Sequence, residues 1–161
     1  MEDRLTRRAT LDGELESVSY RDLFVIVRSG RASVENQREL ERRLVELAAS
    51  YPSGVGVAVL IPASVPPADA PVRREIVALL TRQVSRIRGL VWVIGASGSE
   101  AASVRAVATS YSVALRQHYP TFMATDLRGA LKWLLPLLGG EARLADLDLT
   151  LQAIDGSDEA V

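Results

Sequence analysis

Gly54-Val55-Gly56-Val57-Ala58-Val59-Leu60-Ile61-Pro62-Ala63-Ser64-Val65-Pro66-Pro67-Ala68-Asp69-Ala70-Pro71-Val72-Arg73-Arg74-Glu75-Ile76-Val77-Ala78-Leu79-Leu80 contains one complete folding unit. The unbroken apolar run Val55 to Ile61 predicts a strand buried on both faces, as strands of parallel sheets are. Pro62, Pro66 and Pro67 then hold themselves and their predecessors extended, so the connection is stiff and non-helical. Asp69 is placed to cap a helix whose first turn contains Pro71, where a missing N–H costs nothing. Val72, Ile76, Leu79, Leu80, Val84 and Ile87 form its inward stripe, with Arg73, Arg74, Arg82, Arg86 and Arg88 off it. This helix is expected to end near Gly89.

The same unit recurs on either side. Leu23-Phe24-Val25-Ile26-Val27 reads as another buried strand, and Ser33 is placed to cap a helix with Leu40, Leu44, Leu47 and Ala48 inward. Arg38, Glu39, Arg42 and Arg43 fall on the opposite face, where a solvated surface is expected, with Glu39 and Arg43 spaced as an i,i+4 pair. Leu90 to Ile94 is the next strand, and Gly95-Ala96-Ser97-Gly98-Ser99 turns it into a helix striped by Val104, Val107, Ala108, Tyr111 and Leu115. Thr121 to Ala124 is a short strand, and Asp126 caps a last helix through Ala130, Leu131, Leu134, Leu135 and Leu138. Pro136 loosens its final turns, and Gly139-Gly140 stop it.

The order βαβαβαβα with short connections predicts an α/β fold: a single, mainly parallel sheet with right-handed crossovers and helices packed on both faces. Strands at 23–28, 55–61, 90–95 and 121–124 are expected to share it. A weak alternation over 14–20 suggests an additional edge strand. Residues 1–12 read as a flexible lead-in, 13–140 as the α/β domain and 141–161 as an acidic tail, in which six acids face Arg143 alone. Leu147, Leu149 and Leu151 alternate as a strand would, whereas Leu144, Leu147, Leu151 and Ile154 fit a helical stripe. The tail is read either as an element docked on its own domain or as a segment for a partner, with Asp155 to Val161 disordered.

Composition narrows the function classes. The 161 residues include no cysteine and one histidine, which argues against thiolate metal sites, multi-histidine sites and a disulfide framework. Nothing near the N-terminus resembles a signal peptide, and no apolar run approaches the roughly 18 residues of a membrane helix. A cytoplasmic location is expected, with no membrane partner. Aromatic residues are 5% and no dense basic stripe exists, so no nucleic-acid partner is expected.

Four features are candidates for chemistry. The turn Gly95, Ser97, Gly98, Ser99 lies where strand meets helix, and backbone N–H groups there favour an anion. It lacks the third glycine and the acidic residue of a dinucleotide fingerprint, so a plain tight turn is the rival reading. His118 is either a base or a cap of helical carbonyls. Ser64 in the proline-rich loop is a possible modification site or a solvated serine. Trp92 and Trp133 read as core residues, with Trp133 alternatively marking a partner patch. No catalytic constellation is evident, and no metal or cofactor is implied.

The element order, the loop from Val59 to Val72 leading into a helix, and the ending Phe122-Met123-Ala124-Thr125-Asp126-Leu127-Arg128-Gly129-Ala130-Leu131-Lys132-Trp133-Leu134 resemble the STAS domain. This is the family of anti-sigma-factor antagonists and sulfate-transporter cytoplasmic tails, here in its divergent bacterial branch, and the resemblance covers roughly Leu15 to Leu138. It implies a non-enzymatic cytoplasmic regulator that docks on another protein, such as a kinase-like anti-sigma factor or a signalling assembly. It implies docking through the loop and helix around Asp69 to Glu75; the candidate partner-binding residues are Ser64 and Asp69 with Arg73 and Arg74, whose positive charge in the first helical turn opposes the helix dipole. The family's phosphorylatable serine lies in an Asp-Ser-x-Gly sequence; aligning Asp69 with that aspartate puts Ala70 at the serine and Val72 at the glycine. Two other readings stand beside it: a small-anion or nucleotide binder using Gly95 to Ser99, and a structural subunit of a homo-oligomer.

Overall fold

A computed structural model describes residues 4–62, 64–95 and 99–155. Six strands, β1 (Thr6–Ala9), β2 (Leu15–Tyr20), β3 (Leu23–Arg28), β4 (Val55–Ile61), β5 (Ile87–Ile94) and β6 (Thr121–Ala124), form one sheet in chain order. β1, β2 and β3 pair antiparallel, and β3 to β6 pair parallel. The helices are α1 (Val34–Ala49), α2 (Ala70–Arg82), α3 (Ser99–Leu115), α4 (Leu127–Leu144) and α5 (Leu147–Asp155). The expected single, mainly parallel sheet is therefore present, preceded by an antiparallel hairpin and an outer strand.

Handedness explains the layering. When parallel strands follow one another in chain order, right-handed crossovers place every connecting helix on the same face. Accordingly α1, α2 and α3 lie together over Phe24, Val57, Val59, Leu90 and Trp92. Leu23, Val25, Ala58, Val91 and Val93 face the other way and are covered by α4 and α5, which follow the last strand.

α4 packs close to the sheet because two glycines leave room for it. Gly56 of β4 and Gly89 of β5 are register partners. A Cβ at Gly89 would stand 2.8 Å from Leu137 Cδ1 and 3.0 Å from Leu134 Cδ1; one at Gly56 would stand 3.0 Å from Leu134 Cδ2 and Leu138 Cδ1. This corrects the reading of Gly89 as a helix stop. α2 ends at Arg82, and β5 already begins at Ile87, with a bulge where Val55 and Gly56 oppose Ile87 and Gly89.

The helix ends follow their capping chemistry. Ser33 and Asn36 form a reciprocal capping box on α1, and Asp126 Oδ1 accepts from the Gly129 N–H at 2.6 Å. Gly139 and Gly140 interrupt α4 rather than stop it. Gly140 has φ 63° and ψ −147°, a region essentially reserved for glycine, and helical turns resume up to Leu144. The tail resolves to its helical alternative: Leu151 and Ile154 of α5 are buried against the sheet's second face. Arg143, 8% exposed, fastens this arrangement by donating to Asp22 Oδ1 at 3.1 Å and to Thr150 Oγ1 at 3.2 Å. Residues 156–161 lie outside the described residues.

Two surface expectations are corrected. The lead-in over 1–12 contains β1, paired with β2 over Thr6 to Ala9. β1 in turn buries Arg43, expected on the solvated face, because its carbonyls supply acceptors: Arg43 donates to Arg8 O and Ala9 O at 2.8 Å each, besides Ser17 Oγ and Glu39 Oε1. Arg38 and Arg42 are exposed as expected. Among the described residues no helix is long and apolar enough to cross a membrane.

Gly89→Ala should destabilise the protein by about 1–3 kcal/mol, since the added methyl overfills a packed site and outweighs the roughly 0.4–1 kcal/mol gained by restricting the unfolded chain. Gly95→Ala, where nothing among the described residues lies within 4 Å of the added Cβ, is the control and should be neutral or stabilising. Urea unfolding of the two variants checks the difference.

Candidate functional site

Parallel strands put all their C-terminal ends on one side of the sheet, so the loop into α2 and the turn into α3 emerge at the same end. The sequence candidates converge there. Asp69 caps α2, its Oδ1 accepting from the Val72 N–H at 3.1 Å, with Arg31 Nη2 at 3.5 Å from Oδ2. Arg73 donates through Nη1 to Ala68 O at 2.8 Å, while Arg74 and Ser64 are exposed. A groove of about 480 Å³ runs between α2 and α3, lined by Ala70, Arg73, Arg74, Val77, Ala78, Ser110 and Tyr111. Of the anion-binding turn, Gly95 closes β5 and Ser99 opens α3; Ser97 and Gly98 lie outside the described residues.

Beneath this surface, between the sheet and α1 to α3, is an apolar cavity of about 50 Å³. Phe24, Ile26, Leu40, Val59, Ile76 and Val104 are among its walls, and the loop contributes Pro67 and Ala68. Four polar side chains join them: Arg28 from the end of β3, Gln37 from α1, Trp92 from β5 and Tyr111 from α3. Arg28, Trp92 and Tyr111 are 6%, 3% and 4% exposed, and among the described residues Arg28 Nε, Trp92 Nε1 and the Tyr111 hydroxyl have no hydrogen-bond partner, whereas the Gln37 amide donates to Asn36 Oδ1 at 3.3 Å. Unpartnered buried polar atoms are uncommon, and three around one cavity form a local cluster of unmet donors. The Trp92 and Tyr111 rings meet at 5.1 Å between centroids.

The electrostatics are those of a desolvated cationic pocket. Burial pushes the Tyr111 phenol up to about 12, with nearby Arg73 and Arg28 opposing the shift. Burial also lowers Arg28 from its usual value, although a guanidinium stays charged near neutrality. Tyr119 shows the contrast: its pKa is likewise raised by burial, but its hydroxyl donates to Leu80 O at 3.3 Å.

Arg28 also explains the loop's shape. Its Nη2 donates to Pro66 O at 3.1 Å and to Gly30 O at 3.4 Å, so the proline-rich connection is held from below by Arg28 and from the helix by Arg73. Arg82, Glu41 and Glu75 form a separate clamp between α1 and α2, with Arg82 to Glu41 at 2.7 Å and to Glu75 at 3.0 Å. Hydrogen bonding from Arg82 holds the Glu41 carboxyl below the usual range.

Sequence reasoning placed Trp92 in the core and Tyr111 on an inward stripe, both correctly, and read Arg28 as the end of a strand. Their common cavity was missed. The available signals were a tyrosine within an aliphatic stripe and an arginine closing a buried strand. His118 is exposed, and its backbone N–H donates to Leu115 O in the closing turn of α3. Trp133 stacks on Phe122 at 5.2 Å, on the α4 side of the sheet. Among the described residues no cluster of three or more His, Cys, Asp or Glu side chains is arranged to hold a metal. Comparison with known proteins gave no match: no family model, no curated protein and no solved structure.

Because the phenol of Tyr111 ionises less readily folded than unfolded, the stability it contributes is intact below pH 10 and falls as pH rises toward 12. Tyr111→Phe should flatten part of the alkaline loss of stability between those values, measured by urea unfolding across the pH series.

Proposed function

We propose that this chain is a non-enzymatic cytoplasmic regulatory domain of STAS type, which binds another protein through the loop and first turns of α2. The observation that carries this reading is a preformed basic surface: a loop tied down by Arg28 and Arg73, with exposed Arg74 beside an open groove. A surface already ordered before binding loses little conformational entropy on complex formation. Arginines in the first turn oppose the helix dipole by roughly 0.3–1 kcal/mol each, a placement that helix stability alone does not favour. The repeated β-α units and the Asp126-capped last helix agree with the resemblance to that family.

The partner is an acidic surface of a kinase-like anti-sigma factor or of a larger signalling assembly. Regulation differs from the family's phosphorylation switch, since Ala70 and Pro71 carry no hydroxyl at the start of α2. Ser64 is the hydroxyl in this loop, and it is exposed.

Arg74→Glu is the cleanest test, because Arg73 also holds the loop and its reversal would disturb the fold. With a partner recovered from the native host, Arg74→Glu should weaken binding about tenfold at low salt, and the loss should shrink as salt screens the charges. Stability should stay within about 0.5 kcal/mol of wild type. Unchanged affinity at low salt would remove this surface from the interface.

A further inference from the structure

The cavity between the sheet and α1 to α3 holds a charge that the protein does not balance. Arg28 lies 6% exposed at the end of β3 and donates to the carbonyls of Gly30 and Pro66. None of the ion pairs among the described residues includes it. The other buried arginines are treated differently: Arg43 is paired with Glu39 and Arg143 with Asp22. A buried cation with satisfied carbonyl contacts but no counter-ion is costly, and its unpartnered Nε adds to that cost.

We infer that the cavity is a binding site for a small aliphatic carboxylate, which serves as the counter-ion of Arg28. Arg28 Nε, Trp92 Nε1 and the Tyr111 hydroxyl are all able to donate, and a carboxylate is an acceptor with about four lone-pair directions. The surrounding walls, including Phe24, Ile26, Val59, Ile76 and Val104, suit a short hydrocarbon chain. A phosphate fits less well, because its additional oxygens and charge would be desolvated against those walls with one guanidinium to compensate them. The volume of about 50 Å³ restricts the ligand to a few heavy atoms. The site does not depend on the docking surface proposed above, although Arg28 touches both through Pro66 O.

The full chain, labelled with nitrogen-15, is titrated with sodium acetate, propionate and butyrate at constant ionic strength, with 1-butanol as the neutral control. Trp92 reports on the cavity, and Trp133, on the opposite face, is the internal reference. The Trp92 indole N–H signal should shift saturably with at least one acid at millimolar concentration, while the Trp133 signal stays in place. Tyr111→Phe, which keeps the ring, should weaken that binding by about tenfold, and Arg28→Met should abolish it. Should Arg28→Met fail to fold, Tyr111→Phe still decides: wild-type affinity in that variant counts against the site. A Trp92 signal in the folded wild-type protein that ignores all three acids, or that responds equally to butanol, overturns the inference and leaves the cavity to ordered water.

Discussion

The close approach of α4 to Gly56 and Gly89 is the constraint on which the two-sided sheet depends. Winding the strands in chain order puts α1, α2 and α3 on one face and leaves Leu23, Val25, Ala58, Val91 and Val93 bare on the other. A buried parallel sheet needs cover on both faces, and the chain after β6 has to supply it. Two register-paired glycines let Leu134, Leu137 and Leu138 settle against the backbone. The break at Gly139 and Gly140 then redirects the chain so that Arg143 reaches Asp22 and α5 completes the layer.

The helix-covered opposite face is packed to a different end. Its core is continuous from Leu15 to Tyr119, yet it encloses a small cavity beside which a guanidinium Nε, an indole N–H and a phenol hydroxyl go unpartnered among the described residues. Stability alone would favour apolar side chains at these positions, since replacing buried charges by well-packed hydrophobic groups is often neutral or stabilising. Arg28 instead links this interior to the loop at the head of α2 through the Pro66 carbonyl. Arg28 therefore helps to join interior and surface at that end of the sheet, alongside the loop's own Pro67 and Ala68 in the cavity wall.

Features that rest on local pattern are legible in the chain alone. Runs such as Leu23 to Val27 and Val55 to Ile61 have the strand signature without reference to any neighbour, and Ser33, Asp69 and Asp126 cap helices through bonds to residues three positions on. Element order then implied the parallel sheet, because short connections and right-handed crossovers leave few alternatives. Other features depend on packing between distant segments. Gly89 reads as a helix stop until α4 lies over it, Arg43 reads as solvated until β1 brings its carbonyls, and the tail fits two periods until a face of the sheet needs covering. Arg28, Trp92 and Tyr111 are far apart in the chain, and these side chains come to line one cavity only after the β-α units have packed. Hydrogen-bond satisfaction and steric room depend on atoms distant in sequence, so no local pattern encodes them.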